Sequence, residues 1–284
     1  MTSSTFQLEE LVNKFKTLRI LVAGDPMYDI YHFGHVDRMC PEAPVPVFVE
    51  DQECQIRRGG AANVAQNLKA LGCEVDTLFP SGEWVEKHRY MVGGHMLMRV
   101  DRERNYQTDW FNEAIHRQVP AGTTYQAAII SDYAKGSCTE ENCQWLIDSA
   151  RNDQVPVIVD PKGNDWNKYA GARVICPNHK EMAIEKVGQV QPVFEAIVEK
   201  RGANGILLQV EHSEPKAFAA RAKHVFDVTG AGDTVTAVVA AVVAAGGTLS
   251  QACELANLAA AVVVGEVGTS TCSNERLIQE IYKL

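Results

Sequence analysis

The chain has 284 residues, of which 46% are hydrophobic and 22% are charged, as is usual for a globular protein. Its formal net charge of −9 argues against nucleic acid or an anionic membrane as the main partner, because either would need a basic surface. The eight cysteines show no CxxC spacing, and a chain of this length folds without disulfides, so we expect a reducing cytoplasm.

Residues 1–16 are predicted to form an amphipathic helix and not a signal peptide. The apolar residues of this segment recur at helical spacing: Leu8, Leu11, Val12 and Phe15. The longest apolar run, residues 235–245, is too short to span a membrane. We therefore expect a cytoplasmic protein without a membrane partner.

Strand-like and helix-like segments alternate along the rest of the chain, which predicts a mostly parallel sheet covered by helices. The predicted strands are 19–24, 75–79, 127–131, 155–159, 173–176 and 206–210. The predicted helices after the first follow Gly59-Gly60 or occupy 139–152, 235–245 and 249–264. Because no internal repeat or linker interrupts this pattern, we expect one domain over residues 1–284.

Two segments, at about 31–57 and 87–104, depart from the alternation and predict a small second sheet. Repeated proline at 41–50 forbids a helix and confines any strand to a sheet edge. A glycine pair, Gly93-Gly94, indicates a hairpin in the second segment. We expect these segments to form a lid over the main sheet.

Polar residues follow several predicted strands, at the edge where parallel sheets bind ligands. Asp25 and Asp29 follow the first strand and are suited to the hydroxyls of a polyol, although turn capping is an equally good interpretation. Lys162 follows a later strand and suits a phosphate. Asn63, one turn into a helix opened by glycines, offers both a donor and an acceptor to a ligand, but close helix packing also explains the small residues.

Asn178 and Glu181 lie three residues apart at the start of a helix, so their side chains face the same way. Such a pair is suited to a hydrated magnesium ion. Capping of the helix by Asn178 is the competing interpretation.

The sequence DVTGAGDT, residues 227–234, precedes the apolar run and predicts a tight turn at the start of a buried helix. Its exposed N–H groups and the helix dipole suit a phosphate at Gly230–Gly232. Asp233 would repel that phosphate, which is reasonable if it accepts the proton of an attacking hydroxyl. The alternative is an Asp placed in the first helical turn by the dipole alone.

These motifs resemble a known family. GGAANVAQNLKALG, NHKE and DVTGAGDT resemble the paired motifs of the ribokinase-like carbohydrate kinases. GDPMYDIYHFGHVDRMCPEAPVPVF, SDYAKG, VIVDPKG and LAAAVVVGEVGTST are similar to bacterial heptose 7-phosphate kinases of lipopolysaccharide-core synthesis, and the similarity covers nearly the whole chain. The resemblance implies an α/β fold, a ribokinase-like αβα sandwich with a β-sheet lid. It also implies ATP, Mg²⁺ and a sugar phosphate as ligands, and a homodimer formed through the lid.

The resemblance also implies site residues. Asp233 matches the catalytic base, and Gly230, Ala231 and Gly232 match the anion hole. The sugar-side positions are Asp25, Asp29, Gly59, Gly60 and Asn63, to which we add Arg99 and Lys162 for the distal phosphate. The nucleotide-side positions are Asn178, Lys200, Gly202, Thr229 and Asn257, with Asn178 and Glu181 holding Mg²⁺ through water. The implied reaction is phosphorylation of the anomeric hydroxyl of D-glycero-D-manno-heptose 7-phosphate.

The chain departs from the family in three places. A strand-helix unit usually found before the lid hairpin is missing between residues 80 and 87, the helical region after Glu181 is short, and Lys200 replaces a small hydroxyl residue. A catalytically weak or silent sugar-phosphate binder is therefore an alternative.

A second alternative is a nucleotidylyltransferase, because His32-Phe33-Gly34-His35 matches the HxGH motif of those enzymes. The motif should open a long helix, whereas here a proline-rich segment follows it.

Overall fold

A computed structural model of the chain describes residues 3–104, 106, 122–163, 165–183, 194–222, 224–266 and 268–284. The strands of these residues are β1 (Arg19–Gly24), β2 (Pro26–Met39), β3 (Pro46–Glu50), β4 (Gln55–Gly60), β5 (Glu74–Leu78), β6 (Val85–Val92), β7 (His95–Arg102), β8 (Ala127–Ser131), β9 (Val157–Asp160), β10 (Val174–Ile175), β11 (Ala196–Lys200), β12 (Ile206–Val210) and β13 (Lys216–Phe218). The α-helices are α1 (Ser3–Lys14), α2 (Ala61–Ala70), α3 (Glu140–Asn152), α4 (His179–Ala183), α5 (Ala231–Ala244), α6 (Leu249–Val263) and α7 (Asn274–Ile281).

The larger of two sheets has eight strands in the order β13-β12-β11-β10-β9-β8-β1-β5. The strands from β11 to β5 run parallel to one another, and β12 and β13 complete one edge in antiparallel pairing. The mostly parallel sheet predicted from the sequence is therefore confirmed. All the parallel strands present their carboxyl ends at one edge, where ligands of such sheets bind.

Alternating side chains of this sheet pack against helices on both faces. On β1, Ile20 and Val22 belong to one core with α1, α2, α5, α6 and α7, whereas Leu21 and Ala23 belong to a second core with α3. Strands buried on both faces read as continuous apolar runs, which is why they were recognisable in the sequence. The three layers form the αβα sandwich that the motifs implied.

The second sheet has five strands, with β3, β2, β6 and β7 in order and β4 also paired with β2. It is the predicted lid, but it is larger than the predicted segments, because β2 starts at Pro26 and β4 ends at Gly60. Of the proline-rich segment only Pro46–Glu50 is a strand, and it lies at the edge of the sheet. A long strand beginning with Pro26 was not expected, since that residue follows directly on the end of β1.

The chain crosses from the central sheet into the lid after Asp25 and returns at Gly60-Ala61, and these two crossings touch. The N–H of Ala61 donates to the carbonyl oxygen of Asp25 at 3.0 Å. Gly60 has φ of +56°, and a Cβ added there would lie 2.5 Å from the same oxygen. Only glycine therefore fits at this position.

Two further strands were missed. Residues 196–200 form β11 and residues 216–218 form β13, so Lys200 ends a strand instead of lying in a loop. The connection of residues 79–84 between β5 and β6 is short, as the sequence indicated. The predicted shortness of the helical region after Glu181 concerns residues 184–193, which lie outside the described residues. Within the described part of the chain, no helix combines the length and the apolar character needed to cross a membrane.

Candidate functional site

The turn at Gly230 leaves backbone donors exposed at the start of α5. Gly230 has φ of +81°, in the left-handed region, and α5 begins at the next residue. A Cβ added at Gly230 would lie 2.6 Å from Nδ2 of Asn63, so the position requires glycine. Among the described residues, no backbone carbonyl accepts the N–H groups of Gly232 and Asp233, whereas the N–H of Ala231 donates to the carbonyl oxygen of Val228 at 3.3 Å. The two free donors and the helix dipole suit an anion, and Ala231 as a third donor of the anion hole stays a prediction.

Asp233 is buried, with 5% of its surface exposed, and lines a cavity beside the turn. Its Oδ2 accepts a hydrogen bond from Nδ2 of Asn63 at 2.7 Å, and its Oδ1 accepts one from the hydroxyl of Tyr133. Burial, followed by the charge of Asp160, raises the pKa of Asp233 to about 6, although both hydrogen bonds work in the opposite direction. A carboxylate with such a pKa is ionised at neutral pH and still accepts a proton more readily than an ordinary Asp.

Lys200 lies close to this turn and forms a buried ion pair. Its Nζ donates to Oδ1 of Asp160 at 2.6 Å, while Oδ2 of Asp160 accepts from Oγ1 of Thr236 at 3.0 Å. Nζ of Lys200 is also 3.5 Å from the point where a Cβ of Gly232 would lie. Burial is the largest single effect and opposes the charged ammonium, but the charge and hydrogen bond of Asp160, together with the nearby Cys176 and Asp233, outweigh it, and the pKa of Lys200 is raised. A fixed cation therefore stands beside the anion-binding turn.

We expect Lys200→Met to lower the free energy of unfolding by about 3 kcal/mol, because it leaves the buried Asp160 carboxylate without its counter-ion. Urea denaturation at pH 8 measures the loss. The matched control is Lys283→Met, because Lys283 makes a contact of the same length to Glu280, 2.6 Å, at the exposed C-terminus. That variant should lose less than about 1 kcal/mol. Equal losses in the two variants would contradict the assignment of a buried pair.

A cavity of about 420 Å³ opens beside Asp233 and is large enough for a nucleotide. One part of its wall is polar and contains Asp160, Lys162, Asn178, Glu181 and Lys200. The other part is apolar and is formed by these residues: Ile206, Ala220, Ala222, Val225, Val228, Ala260, Ala261 and Val264. An apolar wall next to a polar one suits a flat base attached to charged phosphates.

Asn178 and Glu181 bond each other reciprocally at the start of α4. The N–H of Asn178 donates to Oε2 of Glu181 at 2.9 Å, and the N–H of Glu181 donates to Oδ1 of Asn178 at 3.0 Å. Helix capping, the competing interpretation, is thus present. Glu181 also accepts from Nζ of Lys162 at 3.3 Å, and all three residues line the cavity. The carboxylate and amide oxygens fit a hydrated Mg²⁺, because each still has lone pairs for a water ligand.

One face of the lid sheet, formed by alternate residues of its strands, covers the site and is rich in charged side chains. Nη1 of Arg89 donates to Oδ1 of Asp29 at 2.5 Å, and both side chains are buried. A Cβ on Gly59 would lie 2.6 Å from Oδ2 of Asp29, so this glycine makes room for the carboxylate. Lys87 lies on the same face, with its Nζ 5.6 Å from the ring centre of Tyr133. The face therefore reaches the side chain that bonds Asp233.

Three further cations lie on this inner lid face: Arg57, Lys87 and Arg89. The sequence indicates Arg57 as part of a basic cluster compatible with a small anionic ligand, whereas Lys87 and Arg89 were missed. In the strand register, Arg57 of β4 lies opposite Asp29 of β2, and Arg89 of β6 lies opposite Arg99 of β7. Residues opposite each other in register project from the same face of the sheet. The ammonium group of Lys87 has no ion pair or hydrogen bond among the described residues, and burial lowers its pKa. The alternation of Lys87, His88 and Arg89 on a predicted hairpin was the available signal, because alternate residues of a strand face the same side.

Asp25 is fully buried, and its carboxylate is occupied by the backbone. Its oxygens accept the N–H groups of Tyr133 at 2.8 Å, Lys135 at 3.0 Å and Ser137 at 2.9 Å. Asp25 therefore fixes the segment after β8. These hydrogen bonds favour the turn-capping interpretation over the binding of polyol hydroxyls.

Most of the predicted site residues come together, but some do not. Lys162 donates to Glu181 in the cavity wall, and Arg99 lies on the lid, where its Nε donates to Asp101 at 2.8 Å. Their joint binding of the distal phosphate stays a prediction. Gly202 and Asn257 line the cavity. Thr229 is not in its wall and donates to Oδ1 of Asp227 at 2.7 Å.

The HxGH residues lie in the middle of β2 and open no helix, so the structure does not support a nucleotidylyltransferase site there. His32 bonds Glu50 through Nδ1 at 2.7 Å and His88 through Nε2 at 2.9 Å, on the outer face of the lid. His35 bonds Asp51 at 2.5 Å. Neither histidine lines the cavity.

Comparison with known proteins agrees with this geometry. Residues 99–276 match the model of the "pfkB family carbohydrate kinase". The chain is 36% identical to the "Bifunctional protein HldE" of Vibrio parahaemolyticus over 97% of its own length and 66% of that protein, and 35% identical to the Haemophilus influenzae protein of that name over 95% and 64%. The chain thus spans slightly less than two thirds of the length of these curated relatives.

Solved structures show the same fold at low identity. Arabidopsis thaliana ribokinase complexed with ribose and ATP has a TM-score of 0.66 at 16% identity, covering 93% of this chain and 98% of the other. Escherichia coli phosphofructokinase-2 in complex with substrates and products has a TM-score of 0.69 at 16% identity, covering 94% and 99%.

Proposed function

Because the chain belongs to the pfkB family of carbohydrate kinases, we propose that it transfers the γ-phosphoryl group of ATP to the anomeric hydroxyl of D-glycero-D-manno-heptose 7-phosphate. The family makes it a phosphotransferase that acts on a sugar hydroxyl, and the individual sugar is our inference. The observation that carries the proposal is the buried Asp233 carboxylate beside the free N–H groups of the α5 turn, between a nucleotide-sized cavity and a basic lid face.

In the proposed reaction Asp233 accepts the proton of the sugar hydroxyl as that oxygen attacks the γ-phosphorus. The bond from the γ-phosphorus to the bridging oxygen then breaks, and ADP leaves with that oxygen. The free N–H groups of Gly232 and Asp233 at this turn stabilise the negative charge on the transferred group. Asn63 holds Asp233 in place through its 2.7 Å hydrogen bond. The lid excludes water and so limits ATP hydrolysis.

The cavity supports ATP as the donor. Its apolar wall suits the adenine ring, and Lys200, which lies beside the turn, suits the phosphates. Asn178 and Glu181 would hold Mg²⁺ through water, where the ion neutralises charge on the phosphate oxygens. Asn257 and Gly202 remain proposed nucleotide contacts in the cavity wall, whereas support for Thr229 is confined to the motif.

The lid supports a phosphorylated acceptor. Arg57, Lys87 and Arg89 lie on the face that points at Tyr133, near Asp29. A neutral sugar would leave the half-buried ammonium of Lys87 without an ion pair, whereas an anionic sugar compensates its charge. Asp29 and Asn63 remain the proposed contacts to sugar hydroxyls, and the resemblance of the motifs to heptose 7-phosphate kinases supports the choice of this sugar.

We also propose a homodimer through the outer face of the lid, in the cytoplasm. Apolar side chains are exposed there, including Ile56 at 62% and Met98 at 50%. Apolar patches of this kind in a sheet mark interaction surfaces. The eight free cysteines agree with a reducing compartment. Sedimentation of the chain should give twice its mass, and a monomer would contradict the dimer.

An ADP-release panel tests the proposed reaction. The chain is incubated with ATP, Mg²⁺ and single sugars or sugar phosphates, including D-glycero-D-manno-heptose 7-phosphate. Sugar-dependent ADP release, fastest with that heptose phosphate, is the expected result. Release of pyrophosphate with heptose 1-phosphate would indicate a nucleotidylyltransferase. Thermal stabilisation by a sugar phosphate without any ADP release would instead identify a silent binder.

A further inference from the structure

We propose that Tyr133 is a positioning residue for catalysis, which fixes the Asp233 carboxylate and keeps it ionised through a hydrogen bond from its phenol. This inference rests on the proposed function, because it assigns the partner that tunes the base of that reaction. No motif reasoning from the sequence had given Tyr133 a role. Its hydroxyl donates to Oδ1 of Asp233, whereas Asn63 donates to Oδ2, so each oxygen of the base has one fixed donor.

The position of Tyr133 is fixed by its own backbone. Its N–H donates to the buried carboxylate of Asp25 at 2.8 Å, and that carboxylate also holds the N–H groups of Lys135 and Ser137. Three hydrogen bonds to one buried anion hold the segment in a single conformation. The phenol is thus delivered to Asp233 from a rigid support, as a positioning residue requires.

The phenol remains a donor near neutral pH. Tyr133 is half-buried, and desolvation together with the charges of Asp233 and Asp160 raises its pKa well above the ordinary value. A phenol that stays protonated near neutral pH cannot serve as the base itself. It can only donate to Asp233, and a donor favours the ionised form of a carboxylate.

This donation opposes two influences that push Asp233 towards its protonated form. Burial and the nearby charge of Asp160 raise the pKa of Asp233, and the hydrogen bonds from Tyr133 and Asn63, together with the charge of Lys200, lower it. Without the phenol, a larger fraction of the base would carry a proton near neutral pH and could not accept one from the sugar. The role of Tyr133 therefore predicts a change in pH dependence, which simple packing would not produce.

The experiment compares kcat/KM of Tyr133→Phe with that of the parent enzyme between pH 5 and 9, using the best acceptor from the ADP-release panel. Phe keeps the ring that packs beneath Lys87 and removes only the hydroxyl. We expect the acid limb to move up by about one pH unit. Activity should then be roughly threefold lower than that of the parent at pH 6.5 and nearly equal at pH 8.5.

The matched control is Tyr125→Phe, because the Tyr125 hydroxyl donates to Asp76 at 2.9 Å, far from the cavity. Its acid limb should not move. A parent-like acid limb in an active Tyr133→Phe variant would overturn the inference and leave the proposed function intact, whereas a parent enzyme without sugar-dependent ADP release would overturn both.

A second measurement needs no substitution at the site. Replacing all tyrosines by 3-fluorotyrosine makes each phenol a stronger donor, so the acid limb of the parent should move to lower pH. The same replacement in Tyr125→Phe should give the same shift, and an unmoved limb would contradict the inference.

Discussion

Replacing Asp233 by Asn should lower kcat for sugar phosphorylation by about 10³-fold, because the amide cannot accept the proton of the attacking hydroxyl. The amide keeps the size of the carboxylate, so the cavity and the anion-binding turn stay in place. ATP affinity, measured by calorimetry, should therefore change little. Asp148→Asn is the control, since Asp148 is an exposed carboxylate paired with Arg151 on α3, and it should retain parent activity.

The same variant, which should lose activity, should gain stability at pH 8. Asp233 has a folded-state pKa of about 6, above the ordinary value of 3.8, so its ionisation disfavours the folded state. This cost is absent below about pH 4 and complete above about pH 6. At pH 8 the free energy of unfolding of Asp233→Asn should therefore exceed that of the parent by about 1–2 kcal/mol. At pH 4 the two free energies of unfolding should be equal. Urea denaturation at both pH values measures the difference. An active or uniformly destabilised variant would contradict the role of Asp233 as a buried base.

Replacing Lys87 by Met should raise KM for the sugar phosphate by about 30-fold while KM for ATP stays within about twofold. Lys87 lies on the inner lid face beside Asp29 and Arg89, and it has no ion pair of its own in the described part of the chain. Its removal deletes a cation meant for the substrate without leaving a buried anion unpaired. Stability should be unchanged or slightly higher, since the pKa of Lys87 is already lowered by burial.

Arg102→Met is the control for that experiment. Arg102 lies on the neighbouring strand of the same sheet, but on the outer face, where it pairs with Glu86 at 3.1 Å. It should leave both KM values unchanged. The discriminating readout is the ratio of activity on a phosphorylated sugar to activity on the same sugar without phosphate. If Lys87→Met leaves this ratio unaltered, the lid cations do not bind the distal phosphate.

The central sheet and the turn before α5 could be predicted because their signals are local. Buried strands such as β1 and β8 are continuous apolar runs, and the turn before α5 requires glycine at a fixed place next to Asp233. The lid was harder to delimit, because its strands alternate polar and apolar residues. In addition, β2 begins with Pro26, a residue type that usually argues against a strand. The strand at Ala196–Lys200 was missed since it carries charges at its end.

Long-range contacts were beyond local patterns. That Tyr133 reaches Asp233, 100 residues away, depends on the parallel pairing of β1 with β8 and on the buried Asp25. The position of Lys162 beside Glu181 likewise follows from sheet topology, because strand order decides which carboxyl ends become neighbours. A sequence can place a cation at a strand end, but the neighbours of that end are set by the whole sheet.

The contact between the two crossings at Asp25 and Gly60 makes them a single pivot for the lid. On one side of this pivot the side chain of Asp25 holds the segment of Tyr133, and on the other side α2 carries Asn63 within its first turn. Both donors of Asp233 are thus anchored next to the axis about which the lid would swing. The connection to the lid and the two donors of the base therefore share one anchor, so a substitution at this anchor would disturb both.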